Sequence, residues 1–249
     1  VHKELSTYLK LCTQYYELEN HPYDAQALAF YMQYAKQAQG PILEPMCGTG
    51  RFLIPMLQAG YEIEGFDASP FMLEALHEKA PQARAWLEFV QDFSSNKKYN
   101  LIFVPYGSWG LIIDKQQALA GLQAMYHHLV PGGKFIADID TMFSVPTSLG
   151  IWHRALNKRA DGSYIALNTC SNFNQNTQVF NTACRYESIR NSEIELIENE
   201  DFQQYLYGFD EFDQLLRQAG FTNIIKYQDY DRNRATNAQA PLLIYECTK

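Results

Sequence analysis

Apolar positions along the chain follow two rhythms. From about residue 40 to 140, short apolar runs alternate with longer helical patterns, which predicts a parallel sheet with crossover helices. Pro41 to Glu44 is the first predicted strand, Phe52 to Ala59 a helix stopped by Gly60, and Tyr61 to Asp67 a second strand with Ile63 and Phe66 among its apolar positions. Ser69 followed by Pro70 is an N-cap with proline at the first helical position, and Phe71, Leu73, Ala75 and Leu76 carry that helix to Pro81. Trp86 to Gln91 and Tyr99 to Val104 read as strands three and four. A helix over Lys115 to Leu129 is halted by Pro131-Gly132-Gly133, and Lys134 to Ile139 is strand five.

Beyond residue 140 the rhythm changes. Ser163 to Ser171, Gln178 to Ile189 and Ser192 to Asn199 are polar and β-branched runs separated by Asn-rich or Arg-Asn turns, which predicts an antiparallel insert. Asp210 to Ala219 is then an acidic-start helix ended by Gly220, followed by strands Phe221 to Tyr227 and Leu242 to Cys247. The expected fold class is α/β. The expected organisation is a single domain over 1–249: a helical cap (1–39), a core (40–140), a β insert (141–205), and a C-terminal helix and strand hairpin (206–249).

Composition narrows what such a chain does. A length of 249 residues suits one large α/β domain with a well-buried core. The net charge of −8 leaves no broad basic face, which excludes a phosphate-tracking nucleic-acid binder and points to a small-molecule partner. Five cysteines form an odd set with no Cys-x-x-Cys pair, against a disulfide framework or a structural zinc, so no metal is expected. No apolar signal core opens the sequence and no run reaches membrane-span length, so a cytoplasmic protein without a membrane partner is expected.

The chemistry concentrates in Glu44-Pro-Met-Cys-Gly-Thr-Gly50, a glycine turn joining a strand to a helix, with Asp67 closing the next strand 19 residues after Gly48. Bare backbone at one end and a strand-terminal carboxylate about 20 residues on are the signature of a nucleoside site. A dinucleotide site wants a third glycine three residues after Gly50, where Leu53 stands, and no Gly-Lys-Ser or Gly-Lys-Thr follows; the nucleoside expected is one without phosphates.

These segments, with Gly65-Phe-Asp-Ala-Ser69, Met72, Gln91-Asp-Phe93, Leu129-Val-Pro-Gly-Gly-Lys-Phe135 and Phe209 to Phe221, resemble the class I S-adenosylmethionine (SAM) dependent methyltransferases over nearly the whole chain. The resemblance implies a Rossmann-like seven-stranded sheet of parallel strands with a C-terminal antiparallel hairpin, and the insert after strand five covering the substrate. It implies SAM as cofactor and methyl transfer to a nitrogen or oxygen of a small molecule, in the small-molecule branch of the family. An aminopropyl transferase and a non-catalytic SAM-binding module are the alternatives.

By the resemblance, the methionine end of SAM lies against Cys47, Gly48, Thr49 and Gly50, with Glu44 near its amine and Arg51 either assisting its carboxylate or merely solvated. Asp67, beside Ala68, accepts the ribose hydroxyls. Met72 lies on the adenine face or packs in the core. Gln91, Asp92 and Phe93 serve the adenine edge, unless Asp92 caps the Ser94-Ser95-Asn96 turn. Val104-Pro105-Tyr106 departs from the motif of base-methylating enzymes, and Pro105 and Tyr106 are expected beside the donor.

For the acceptor, Tyr15, Tyr16, Ser108, Tyr230 and Arg232 are the expected contacts, with Tyr23, Arg154, Tyr164, Tyr186 and Arg234 in the same covering segments. Tyr16, Tyr106 and His153 are the candidate catalytic groups. Trp109 either packs beneath the insert or reaches the substrate. The acceptor's identity and the oligomeric state are left open.

Overall fold

In the computed structural model, residues 5–19 and 24–249 are described. Two helices come first, α1 (Lys10–Leu18) and α2 (Asp24–Gln37). The core then alternates β1 (Ile42–Pro45), α3 (Leu53–Gln58), β2 (Ile63–Asp67), α4 (Pro70–Lys79), β3 (Arg84–Leu87), β4 (Tyr99–Val104), α5 (Lys115–His128) and β5 (Leu129–Asp140). The insert is a meander of β6 (Trp152–Lys158), β7 (Tyr164–Asn174), β8 (Val179–Arg190) and β9 (Glu193–Tyr205). The chain closes with α6 (Glu211–Ala219), β10 (Thr222–Tyr227) and β11 (Leu242–Thr248).

The main sheet has the order β10-β11-β5-β4-β1-β2-β3; β1 to β5 run parallel and β11 is antiparallel to both β5 and β10. This is the seven-stranded arrangement implied by the motifs. β1 and β4 are apolar almost throughout because helices cover both faces of a parallel sheet, so neither face can be polar. The α4 start is as expected: Ser69 Oγ accepts from the Met72 N–H at 3.2 Å, with Pro70 at the first position. No helix among the described residues is long and apolar enough to cross a membrane.

Three boundaries differ from the sequence expectation. Strand three lies at Arg84–Leu87, not Trp86 to Gln91, because its register is set by pairing with Glu64 to Asp67; Val90–Asp92 is a 3-10 turn that sends Val90 and Phe93 inward, with Phe93 stacked on Phe66 at 4.8 Å. Pro131-Gly132-Gly133 is not a break before strand five. It is an irregularity inside β5, between the pairs Tyr99–Leu129 and Leu101–Lys134. The insert has four strands, since Trp152–Lys158 also pairs with β7; its residues are nearly all exposed, so no apolar pattern marks it as a strand.

The insert sheet closes on α1, with Leu11, Cys12 and Tyr15 packed against Ile165, Cys184 and Tyr186. Carboxylates of the insert also satisfy the free N–H groups at the start of α1: Glu200 accepts from Tyr8 N at 2.7 Å and Leu9 N at 3.1 Å, and Glu198 accepts from Leu11 N. Cap and insert are thereby joined over the carboxyl edge of the main sheet.

Gly65 in β2 shows how tightly the glycine turn is seated. A Cβ there would meet the Glu44 carbonyl oxygen and Leu53 Cδ1 at 2.8 Å and Cys47 Cβ at 3.0 Å. Gly65→Ala is therefore expected to cost roughly 1 to 3 kcal/mol, as overpacking against backbone does. Urea denaturation checks it, and an unchanged midpoint would contradict the close approach.

Candidate active site

Parallel strands all end at one edge, and there the chain encloses a cavity of about 1050 Å³. Its floor comes from the turns after β1, β2 and β4 and from Asp140 at the end of β5. Leu5 to Tyr8, Tyr16, Asp201 to Gln203 and Tyr230 cover it.

The glycine turn is shaped by left-handed backbone at Met46 (φ 58°), Gly48 (φ 52°) and Gly50 (φ 84°). At Gly48 a side chain would meet no atom within 4 Å, so that backbone faces open space. Asp67 binds the turn directly: Oδ2 accepts from Gly48 N and Oδ1 from Ser69 N, both at 2.8 Å. Burial raises its pKa, and the N–H groups of Ser69 and Gly48 oppose that shift. Glu44 is buried on the same wall; its Oε2 has no hydrogen-bond partner, and burial pushes its pKa well up. A cation seated there would satisfy it.

Eight of the fourteen cofactor candidates around this turn and α4 are Glu44, Cys47, Gly48, Thr49, Gly50, Arg51, Asp67 and Ala68, and all but two line the cavity. Thr49 and Gly50 do not. Thr49 is buried with an unpartnered Oγ1, and Gly50 is pressed by Ile54 and Leu76. Arg51 does line it, with its guanidinium 3.6 Å from the centre of the Tyr16 ring and Nη2 donating to the Tyr16 carbonyl at 2.7 Å. Met72, Pro105 and Tyr106 also line the wall. So does Gln91, in a stretch beginning at Glu88, but Asp92 is exposed and Phe93 is in the core. The 3-10 turn rotates those two away, which corrects the expectation for both.

Among the acceptor candidates, Tyr16, Ser108 and Tyr230 line the cavity. Tyr15 does not: it is buried against Tyr186, 5.9 Å between ring centres, and joins α1 to the insert. Arg232 is exposed and lies over the Tyr34 ring at 4.0 Å, outside the cavity. Arg234 pairs with Asp229, and Arg154 with Glu187. His153 sits exposed on the edge strand β6, away from the cavity, so it is withdrawn as a catalytic candidate. Trp109 is fully buried in the core. Tyr23 lies outside the described residues.

Two carboxylates missed by sequence reading stand at the end of β5. Asp138 is fully buried; Oδ1 accepts from Tyr31 Oη at 2.5 Å, and Oδ2 from Tyr230 Oη at 2.7 Å and Tyr106 N at 2.8 Å. It gathers α2, the turn after β4 and the β10–β11 link around one group. Burial raises its pKa to about 6 against those three hydrogen bonds. Asp140 lines the cavity and accepts from Gln204 Nε2 at 2.5 Å; burial raises its pKa too. The signal was present as Asp138-Ile139-Asp140, an alternation that puts both carboxylates on one face of a strand ending at the site.

The wall is strongly acidic. Glu44, Asp67, Glu88, Asp140, Asp201 and Asp229 line it, against Arg51 as the single cationic side chain among the described residues. Such a lining favours cationic occupants.

Comparison with known proteins agrees with this geometry. Residues 42–133 match the model of the family described as "Methyltransferase domain". The curated relative "Putative methyltransferase YqeM" of Bacillus subtilis (strain 168) is 24% identical over 143 residues, 55% of this chain; the match spans 57% of that relative's length. Among solved structures, the CcbJ methyltransferase from Streptomyces caelestis is 18% identical with a TM-score of 0.78 over 97% of each chain. SAM-bound CalS10, an amino pentose methyltransferase from Micromonospora echinaspora, is 17% identical with a TM-score of 0.71 over 99% of each chain. Residues 42–133 are thus similar to a methyltransferase domain, and the chain shares its seven-stranded fold with solved S-adenosylmethionine-dependent methyltransferases.

Proposed function

We propose that this enzyme transfers the methyl group of SAM to the nitrogen of a small-molecule amine held in the carboxyl-edge cavity. The carrying observation is the charge of the wall: six carboxyl groups line it against one arginine, itself laid on Tyr16, and with Glu44 and Asp67 turned to SAM and Asp229 paired with Arg234, Glu88, Asp140 and Asp201 remain for an acceptor. A carboxylic-acid acceptor would meet repulsion there; a protonated amine would meet attraction. An amino pentose methyltransferase is built on the same fold, so a small amine is within reach of this architecture.

The residues present suit the cofactor. The unpartnered Glu44 Oε2 is an acceptor for the methionine ammonium, and the open backbone at Gly48 leaves room for the methionine tail. Asp67 would take the ribose hydroxyls, since each carboxylate oxygen bonded to one backbone N–H retains a second lone pair. Met72 would lie against the adenine, with Phe89 to Gln91 at its edge in place of Asp92 and Phe93. Tyr106 and Pro105 would flank the donor carbon. Bound SAM supplies a methyl group already activated by a positive sulfur. The chain's own contribution is alignment and exclusion of water under Leu5 to Tyr8 and Asp201 to Gln203; alignment alone is worth on the order of 7 to 11 kcal/mol.

Thermal denaturation with SAM, S-adenosylhomocysteine and NAD tests the cofactor half. Either of the first two at about 100 times its dissociation constant should add roughly 2.7 kcal/mol of stability, and NAD none. Release of S-adenosylhomocysteine is then followed with tyramine, glucosamine and glycine beside benzoate and catechol. Turnover is expected among the amines; turnover with benzoate or catechol alone would reverse the choice of nitrogen.

A further inference from the structure

We infer that Asp140, oriented by Gln204 of the insert, is the catalytic residue that receives the ammonium group of the acceptor and removes its proton before methyl transfer. This rests on the amine reading above. The geometry singles out one carboxylate of the six. Asp67 is committed to two backbone amides and, with its remaining lone pairs, to the ribose it would hold, and Asp229 is committed to Arg234. Glu88 follows β3 beside Phe89 to Gln91, which would take the adenine edge, Asp201 is exposed and screened by water, and Glu44 is buried at the glycine turn. Asp140 alone stands beside the turn after β4 with a free oxygen. Its Oδ2 is held by Gln204 Nε2, while Oδ1 takes no hydrogen bond among the described residues.

The surroundings are shaped to admit that carboxylate. Gly107, at φ 65°, leaves the space it fills: a Cβ there would fall 2.0 Å from Asp140 Oδ2. Gln204 Nε2 also approaches the Gly107 carbonyl at 3.4 Å, so the insert, the β4 turn and β5 converge on one oxygen of a carboxylate that lines the cavity, and the other oxygen keeps its lone pairs. Burial raises the proton affinity of Asp140, which suits a group that must accept a proton. The titratable groups around it are Asp138 on the same strand and face, which is ionised at pH 7, and Tyr230 from the β10–β11 link, which burial keeps neutral.

The step balances without a further reactant. One N–H bond of the ammonium breaks and its proton passes to Asp140 Oδ1, leaving the electron pair on nitrogen. That pair forms the new N–C bond as the C–S bond breaks, and the sulfur keeps its electrons. The methylated ammonium leaves, and Asp140 returns its proton to water.

The test uses Asp140→Asn, nearly isosteric, with whichever of tyramine, glucosamine or glycine the wild type methylates. At pH 7, kcat/KM should fall by roughly a hundred- to ten-thousandfold, the usual range for a lost acid–base group. Calorimetry should find S-adenosylhomocysteine bound within about twofold of wild type, the spread allowed for a site left intact, while the amine binds the enzyme–S-adenosylhomocysteine complex at least tenfold more weakly. The deficit should shrink as pH rises toward the pKa of the free amine, where water has already removed the proton. Gln204→Leu should lower kcat more than it raises KM and shift the same pH profile, as a positioning residue does. A wild-type kcat/KM in Asp140→Asn, a deficit that does not vary with pH, or concurrent loss of S-adenosylhomocysteine binding would each overturn the assignment. Wild-type inactivity on all three amines would instead sink the amine reading, and this inference with it.

Discussion

Replacing Asp67 with alanine is expected to weaken SAM binding by about 1.5 to 3 kcal/mol, ten- to over a hundredfold, the scale of hydrogen bonds to a charged group. Two effects act in the same direction. The carboxylate would no longer be present for the ribose, and the Gly48 and Ser69 N–H groups would lose their acceptors, loosening the glycine turn and the start of α4 together. Asp67→Asn separates them, because an amide keeps one acceptor oxygen and most of the packing. It should bind SAM more tightly than Asp67→Ala yet more weakly than wild type. Calorimetric titration with S-adenosylhomocysteine reads both variants without any need for an acceptor. Wild-type affinity in Asp67→Ala would remove the ribose from this position.

Asp138→Asn is expected to change how stability depends on pH more than any surface substitution would. The folded pKa of Asp138 is raised from 3.8 to about 6, so between those values the native state holds a proton that the unfolded chain has lost. Stability contributed at this position therefore falls as pH rises through that window, and the cost is complete above about 6. A shift of about two units corresponds to about 3 kcal/mol. Asparagine cannot ionise, so the stability difference should move in its favour by about that amount between pH 4 and pH 7. Opposing this, its amide NH₂ must face at least one of the donors Tyr31 Oη, Tyr230 Oη and Tyr106 N, a pH-independent penalty of about 1 to 3 kcal/mol. The variant should thus be the weaker protein at pH 4 and lie between parity and about 2 kcal/mol more stable at pH 7, as urea denaturation at both values would record. A difference that stays constant with pH would mean that Asp138 is not the buried titrating group described here.

The central sheet was readable because its strands carry their own evidence. A parallel strand covered on both faces must be apolar along its length, so β1 and β4 stand out in one dimension. The glycine turn and Asp67 were readable for a related reason: only glycine takes φ 84° cheaply at Gly50, and a carboxylate closing a strand has few structural excuses. The strand β6 was not readable, since an exposed edge strand needs no apolar pattern. Nor was the reach of each covering side chain. Tyr15 and Tyr16 are adjacent, yet the helix turns one into the seam with the insert and the other toward the cavity.

The alternation of strands and helices through the core, the glycine turn and the carboxylate 19 residues beyond it belong to the sequence alone, because each follows from local backbone freedom or from the burial that a strand anticipates in its own residues. The acidic character of the cavity, the gathering of Tyr31, Tyr106 and Tyr230 on Asp138, and the pairing of Asp140 with Gln204 were decided only by the tertiary structure. Those partners lie between 32 and 107 residues apart along the chain, and no local rule of spacing links them. They meet because the parallel strands end together and the insert folds back over that edge.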